Sequence, residues 1–188
     1  MTSFDLSTAL HESGALLDGH FRLSSGRHSD RFIQKFRILE DPRLVEHVAR
    51  GIADAFAAVR PTVVVSAAVG GIVLGYEVAR ALGTLAIFVE KEDGVAKLRR
   101  NFQLGANDRA LVVEDVVTTG MSVREVIEVV RGHGAHVAGV GIIVKRGDAD
   151  FGVPTRALLD LPIVSYDPGE CPQCAANVPI SDPGSRRA

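Results

Sequence analysis

The chain has 188 residues, of which 46% are hydrophobic and 23% are charged, a composition typical of a globular protein rather than a disordered one. Its 21 basic and 23 acidic side chains give a net charge of −2, which argues against a general nucleic-acid or membrane surface. No apolar run approaches the roughly 20 residues of a membrane span, and the N-terminus lacks the basic and apolar regions of a secretion signal. With two cysteines, we expect a single cytoplasmic domain, 1–188.

The N-terminal part of the chain predicts a helix followed by a hairpin. Apolar residues near helical spacing predict a short amphipathic helix over 5–17. A polar turn over 24–30 follows, and then a strand-like segment over 31–36. Taken alone, these two segments are typical of a surface hairpin with a solvated basic strand.

The next two elements predict a helix and then a buried strand. Asp41 followed by Pro42 is a helix start, because an acid caps the first turn and proline suits the first helical position. The β-branched run 62–67 predicts a buried parallel strand. Gly70 and Gly71 come between this strand and a helix that ends near residue 82, and they permit unusual backbone angles and expose N–H groups. On its own, this turn is as typical of a plain connection as of a phosphate site.

A long charged segment, 90–108, follows the third predicted strand, 84–89. A loop of this length in a compact domain is usually functional or disordered. A solvated charged hairpin is one interpretation. We favour a mobile lid whose cations neutralise a departing anion and whose closure excludes water. The lid cations are Lys91, Lys97, Arg99 and Arg100.

The most informative stretch is VVEDVVTTGMS, residues 112–122. The apolar run 110–113 predicts a buried strand, and a helix pattern begins near residue 122. A strand, a turn of small residues and a helix start together form an anion site, because the first helical N–H groups and the helix dipole point at the ligand. The residues assigned to this site are Glu114, Asp115, Val116, Val117, Thr118, Thr119, Gly120, Met121 and Ser122.

The two acids make this prediction more specific. Carboxylates facing a phosphate would repel it, but they accept hydrogen bonds from vicinal sugar hydroxyls. We therefore interpret 112–122 as a cradle for ribose-5-phosphate, with Glu114 and Asp115 at the sugar and 117–122 at the phosphate. For the acid pair or the Thr-Gly pair alone, an ordinary strand–helix turn is the simpler interpretation.

The C-terminal part predicts a further apolar strand, 137–144, which ends in Lys145 and Arg146. Closing strands and loops follow up to residue 166. Cys171 and Cys174 form a CxxC pair, but a structural zinc site normally takes four ligands, and the sequence offers neither a second Cys pair nor a nearby His. Because the six histidines are scattered along the sequence, we predict no metal ligands, a C-terminal hairpin around the cysteines, and a frayed tail over 181–188.

Residues 112–122 resemble the binding motif of the type I phosphoribosyltransferases, and the resemblance extends over nearly the whole chain. It implies an α/β fold with a central parallel sheet flanked by helices and a small N-terminal hood, 1–40. It also implies that 90–108 is the family's catalytic loop, which reaches into the partner subunit's site in a homodimer. Gly70 and Gly71 would contact the pyrophosphate of the donor, 5-phosphoribosyl 1-diphosphate. Mg²⁺ would be held mainly through that substrate rather than by protein ligands.

The segment 20–37 resembles the hood of those family members that act on orotate. The resemblance implies that Ser25, Gly26, Thr118 and Arg146 contact orotate, and that Asp115 acts with the lid cations in catalysis. The expected reaction transfers ribose-5-phosphate to orotate in pyrimidine biosynthesis, with no nucleic-acid or membrane partner.

The sequence departs from the family at two positions, since many members carry a lysine where Ser24 and Gly70 stand here. The lid also lacks the family's usual histidine, and Lys91 is the best match to a family lysine. A purine-base phosphoribosyltransferase and a non-catalytic nucleotide-sensing regulator of the same fold are the alternatives.

Overall fold

The computed structural model describes residues 5–183, so five residues of the predicted frayed tail, 184–188, lie outside the described part. The strands are β1 Leu16–Arg22, β2 His28–Ile33, β3 Val63–Ala67, β4 Leu85–Glu92, β5 Val95–Leu98, β6 Arg109–Val117, β7 His136–Lys145 and β8 Thr155–Asp160. The helices are α1 Leu6–Glu12, α2 Phe36–Leu39, α3 Pro42–Phe56, α4 Gly70–Leu82, α5 Met121–Gly132 and α6 Pro172–Ala175, with 3₁₀ turns at Ala57–Val59 and Pro168–Glu170.

The chain forms two compact units. The first, here called the terminal unit, combines Met1–Ile38 with Pro162–Ala188. The second, here called the sheet unit, is Leu39–Leu161. In the described part of the chain, no helix combines the length and the apolar character needed to cross a membrane.

The sheet unit is built on six strands in the order β5-β4-β3-β6-β7-β8. All neighbouring strands are parallel except β5, which pairs antiparallel with β4. The β-branched runs explain this arrangement, because strands buried on both faces need apolar side chains at consecutive positions. Val63, Val64 and Val65 on β3 are all buried. The predicted α/β fold with a central parallel sheet is confirmed.

Helices cover both faces of this sheet. On one face, α5 contributes Val123, Val126, Ile127 and Val130 to a cluster with alternate residues of the strands, as the helical spacing predicted. On the other face, α3 lies so close to β7 that a Cβ on Gly141 would come within 2.5 Å of Ile52. The core therefore lies in two layers, one on each side of the sheet.

The predicted start of α3 is confirmed. The helix begins at Pro42, and the Asp41 side chain accepts a hydrogen bond of 2.9 Å from the Arg43 N–H. Its apolar face, which includes Leu44, Val48 and Phe56, is buried. An acid cap and a proline at the first helical position thus fix this boundary locally.

The terminal unit contains an antiparallel pair, β1 and β2, and the C-terminal segment lies beside it. His28 forms a bridge with Tyr166, and Phe21 forms a bridge with Ser181. The pairing shifts register between Asp18 and Phe21, where His20 and Phe21 are buried at consecutive positions. A bulge of this kind turns two neighbouring side chains inward.

Two sequence predictions are wrong in extent and a third is wrong in kind. The first helix ends at Glu12 rather than 17, because Gly14 has φ +70° and the chain enters β1. The charged segment 90–108 is not a loop throughout, since its first residues belong to the hairpin of β4 and β5, in keeping with the alternative interpretation of a charged hairpin. The C-terminal hairpin is absent among the described residues 162–183, where a 3₁₀ turn and α6 hold the cysteines instead.

Candidate active site

The candidate site lies at the carboxyl edge of the parallel strands. After β3 the chain passes through α4 and adds β4 and β5 on one side of β3. It then returns to the other side of β3, where it adds β6, β7 and β8. Ligands of open α/β sheets bind at this reversal of strand order. The predicted site residues of the sheet unit lie in the last residues of β4 and β6, in β5, and on the segments that follow β3, β5, β6 and β7.

The turn between β6 and α5 has the geometry of an anion site. Gly120 is the N-cap of α5 with φ +78°, and a Cβ there would lie 2.7 Å from a ring carbon of Phe151, so both the backbone angle and the space require glycine. Thr118, Thr119 and Ser122 are exposed around it. Three exposed residues with hydroxyl groups thus lie at the start of a twelve-residue helix, where the first N–H groups have no partner within the helix.

The two acids lie inside β6 rather than after it, which corrects the predicted end of the strand at residue 113. Both are buried, with Glu114 8% and Asp115 1% exposed. The Asp115 N–H donates to Glu114 Oε1 at 3.2 Å, and the Val116 N–H donates to Asp115 Oδ1 at 2.7 Å. Buried carboxylates need hydrogen-bond donors or a cation, which suits them to sugar hydroxyls.

The start of α4 lies beside these acids. A Cβ on Gly71 would be 3.8 Å from Glu114 Oε1 and 3.0 Å from the Ser66 Cβ. Neither Gly70 nor Gly71 has a positive φ, so this turn does not use the backbone freedom that the two glycines permit. Close packing at the first turn of the helix is the reason for glycine at position 71.

Arg146 lies beside the phosphate turn. Its backbone N–H donates to the Val117 carbonyl at 2.8 Å, and the following Gly147 is packed against the Thr118 carbonyl. The guanidinium is half-buried, and its Nε has no hydrogen-bond partner among the described residues. Burial lowers the pKa of Arg146. A desolvated cation of this kind is suited to an anionic ligand.

The lid cations project from the hairpin of β4 and β5 and the turn after it. Asp93 and Gly94 form its two-residue loop with φ +52° and +79°, the angles of a type I′ turn. On the return of the chain, Phe102 packs edge-on against Phe88 at 5.1 Å between ring centroids. The segment is therefore anchored at its base, and its mobility stays a prediction.

Each lid cation forms an ion pair with a glutamate. Lys97 and Arg99 share Glu92, at 2.8 and 3.1 Å. Hydrogen bonding to Lys97, with the charge of Arg99, lowers the pKa of Glu92. Lys91 forms an ion pair with Glu125 on α5, at 2.9 Å between Nζ and Oε1.

The fourth cation, Arg100, forms a bidentate pair with Glu90, with contacts of 2.8 and 2.9 Å. Hydrogen bonding from Arg100 lowers the pKa of Glu90. Exposed ion pairs contribute little to stability, so a multiply charged anion can displace the glutamates. The three glutamates were not predicted from the sequence, although Glu90 and Glu92 lie in the same hairpin as their cations.

Ser25 and Gly26 lie in the terminal unit, at the exposed turn between β1 and β2. Gly26 has φ +82° there, and its N–H donates to the Leu23 carbonyl at 2.9 Å. Arg27 is held within the same unit by Ser165 and by Asp167, the latter at 2.8 Å. These contacts all lie within the terminal unit, and contact of Ser25 and Gly26 with orotate stays a prediction.

The prediction that the histidines form no ligand cluster is wrong. His20 and His28 lie next to Cys171 and Cys174 in the terminal unit. His20 and Cys171 are 151 positions apart in the sequence. The two histidines meet the cysteines only because the two ends of the chain pair with each other.

Comparison with known proteins agrees with this geometry. Residues 37–151, more than half of the chain, match the family model of the phosphoribosyl transferase domain. The fold and the β6–α5 turn thus define a site of the phosphoribosyltransferase class.

Two curated relatives are more specific. The orotate phosphoribosyltransferase of Pelotomaculum thermopropionicum is 49% identical over 189 residues, with all of both chains covered. That of Caldanaerobacter subterraneus subsp. tengcongensis is 51% identical over 171 residues, with 90% of each chain covered. The chain therefore belongs to the phosphoribosyltransferases and, within them, to the orotate phosphoribosyltransferase family.

Solved structures show the same fold. The orotate phosphoribosyltransferase of Aeropyrum pernix matches with a TM-score of 0.70 and 29% identity, over 82% of this chain and 93% of that one. The adenine phosphoribosyltransferase of Leishmania tarentolae matches with a TM-score of 0.63 but only 19% identity, over 85% of this chain and 88% of that one. The fold alone therefore does not identify the base, whereas the sequence relatives do.

Proposed function

We propose that the protein transfers ribose-5-phosphate from 5-phosphoribosyl 1-diphosphate to N1 of orotate. The products are orotidine 5′-phosphate and pyrophosphate, as needed for pyrimidine nucleotide synthesis. In the reaction the bond from the sugar C1 to the diphosphate oxygen breaks, a C1–N1 bond forms, and N1 loses its proton. The β6–α5 cradle, with two buried acids before a glycine-capped helix start, is the observation that carries the proposal.

The roles of the residues follow from their chemistry. Glu114 and Asp115 accept hydrogen bonds from the ribose hydroxyls, because carboxylates act only as acceptors. The turn 117–122 binds the 5-phosphate through N–H groups and hydroxyls. Arg146 and Thr118, on adjoining segments, bind the orotate carboxylate and ring. Gly70 and Gly71 let the backbone approach the diphosphate.

The lid cations act on the leaving group. Lys91, Lys97, Arg99 and Arg100 release their glutamates and neutralise the negative charge that grows on the diphosphate as the C1–O bond breaks. Closure of the hairpin also excludes water, which would hydrolyse the cationic sugar. We propose that Ser25 and Gly26 of the terminal unit cover the pyrimidine, in keeping with the resemblance of 20–37 to the family's hood.

We also propose Mg²⁺ as the cofactor, held mainly through the substrate. It would neutralise the diphosphate, and a hard cation of this kind keeps most of its ligands as phosphate oxygens and water. Glu114 and Asp115 carry carboxylate oxygens, which Mg²⁺ prefers as ligands. They would act on the ion indirectly, through the ribose hydroxyls that they bind. The location we propose is the cytoplasm, where Cys171 and Cys174, which form no disulfide, stay reduced.

A homodimer with a shared lid is the proposed assembly. Val69, Val73 and Tyr76 are exposed at spacings of four and three, which place them on one face of α4 and its entry. An apolar stripe of this kind is suited to contact with a second chain. The exposed lid hairpin would then reach the site of that chain.

Mixing two inactive variants tests the shared lid. Lys91→Ala damages the lid and Asp115→Asn damages the cradle. If each site uses its partner's lid, a hybrid dimer has one intact site, so refolding an equal mixture should restore about a quarter of wild-type activity. Either variant refolded alone is the control. No recovery in hybrids shown to form would mean that each lid serves its own subunit.

The acceptor is tested by supplying the donor and Mg²⁺ with orotate, adenine or hypoxanthine in turn. We expect pyrophosphate release with orotate but with neither adenine nor hypoxanthine. Release with a purine but not with orotate would contradict the proposed acceptor. Donor binding without turnover of any base would favour the nucleotide-sensing regulator.

A further inference from the structure

Four side chains with nitrogen and sulfur ligand atoms converge in the terminal unit, and none of them is among the residues assigned to phosphoribosyl transfer. His20 lies on β1 and His28 begins β2, while Cys171 immediately precedes α6 and Cys174 is its third residue. Their ligand atoms all lie within 4.8 Å of one another. We propose that these four residues bind one structural Zn²⁺ ion.

The distances fit tetrahedral zinc. With Zn–N near 2.05 Å and Zn–S near 2.3 Å, a tetrahedron separates two nitrogens by about 3.3 Å and a nitrogen from a sulfur by about 3.6 Å. His20 Nε2 lies 3.2 Å from His28 Nδ1 and 3.4 Å from Cys171 Sγ. Cys174 Sγ lies 3.7 Å from His20 Nε2 and 3.2 Å from His28 Nδ1. These four of the six separations lie close to the tetrahedral values, and the other two are at most 4.8 Å.

The orientation of His20 supports metal binding. Its other ring nitrogen, Nδ1, is 2.8 Å from the Val178 carbonyl, an acceptor that requires an N–H at Nδ1. The proton is thereby fixed on Nδ1, and Nε2 presents its lone pair to the cluster. Zinc-binding histidines are commonly held in this way by a carbonyl or carboxylate at the second nitrogen.

The cysteines are spaced as a zinc-binding pair. Cys171 is the N-cap of α6 and Pro172 its first residue, so Cys174 lies one turn further on the same side. His20, His28 and Cys171 are buried and Cys174 is half-buried. Four protein ligands complete the coordination of the ion, and this makes the site structural rather than catalytic.

The position of the site indicates its role. The terminal unit is assembled from two segments that are far apart in sequence and contains a sheet of only two strands. Small units with little core commonly need a metal or a disulfide to fold. An ion bound by His20, His28 and the CxxC pair would tie the hairpin to the C-terminal segment, next to the bridges formed by Tyr166 and Ser181.

Metal analysis of the untagged, full-length protein, purified without chelators, is the direct test. We expect about one Zn²⁺ per chain, falling below about 0.1 in Cys174→Ser and in His28→Gln. His47→Gln, which alters an exposed histidine on α3, is the matched control and should retain the ion. Zinc that persists in Cys174→Ser, or a mass showing a Cys171–Cys174 disulfide, would overturn the proposal.

A second measurement covers the case in which the variants fail to fold. Wild-type protein stripped of metal and loaded with Co²⁺ should show the intense visible bands of tetrahedral cobalt and thiolate charge-transfer absorption. Stripping should also lower the Tm of the wild-type protein, and Zn²⁺ should restore it. The proposal is refuted if the protein carries no zinc as purified and also takes up neither Zn²⁺ nor Co²⁺. The cluster would then be only a set of hydrogen-bonded side chains.

Discussion

Replacing Arg146 with glutamine removes a half-buried guanidinium. Its Nε has no hydrogen-bond partner among the described residues, and burial lowers the pKa of the group. If the orotate carboxylate supplies the missing partner, the variant loses a hydrogen bond to a charged group, which contributes about 1.5–3 kcal/mol. The expected fall in kcat/KM for orotate is therefore about 10- to 150-fold.

The same structure predicts the opposite effect on stability. An unpartnered buried polar atom costs about 1–3 kcal/mol in the ligand-free protein, so Arg146→Gln should leave Tm unchanged or raise it. Arg156→Gln, which alters an exposed arginine on the neighbouring strand β8, should change neither activity nor Tm. Steady-state kinetics with orotate varied and thermal unfolding without ligand measure the two effects.

Uracil, which is orotate without its carboxylate, separates binding of that group from a general defect. The loss in Arg146→Gln should be confined to orotate, and any slow turnover of uracil should be unaffected. An equal loss with both bases would refute the carboxylate contact. A lower Tm with an unchanged KM for orotate would show that Arg146 supports the fold instead.

Three further substitutions test the cradle and the lid. Gly120→Ala should destabilise the protein by about 2–4 kcal/mol, because it combines a positive φ with overpacking against Phe151; Gly132→Ala, which has open space, should be neutral or mildly stabilising in the same denaturant titration. Lys91→Ala should reduce kcat far more than it weakens orotate binding measured by calorimetry, and equal losses would contradict a role in leaving-group departure. Asp115→Asn should lower kcat/KM for the donor about 100-fold, while the Kd of orotate stays the same. An unchanged kcat/KM for the donor would show that Asp115 does not contact the sugar.

The sheet unit was predictable because its signals are local. Apolar runs such as 62–67 identify parallel strands, and Asp41 with Pro42 identifies a helix start. The wrong boundaries lie beside local signals that compete with the apolar pattern. Gly14, with φ +70°, ends α1 early, and Asp93-Gly94 is a strong hairpin signal inside the segment predicted to be a loop.

The rest depends on contacts between distant parts of the chain. The sequence shows a CxxC pair but not that His20 and His28 meet it, because this depends on the pairing of Phe21 with Ser181 and of His28 with Tyr166. The pairing of Lys91 with Glu125, on α5, is likewise invisible before the strands are ordered. In the cradle, the residue types were predictable, whereas the burial of Glu114 and Asp115 inside β6 was not.

A crystal structure with Mg²⁺ and 5-phosphoribosyl 1-diphosphate bound tests the central claim most directly. We predict that the 5-phosphate lies within hydrogen-bonding distance of the backbone N–H groups of 118–122 and that both ribose hydroxyls donate to Glu114 and Asp115. Donor bound elsewhere on the protein, with the β6–α5 turn free of phosphate, would contradict the account.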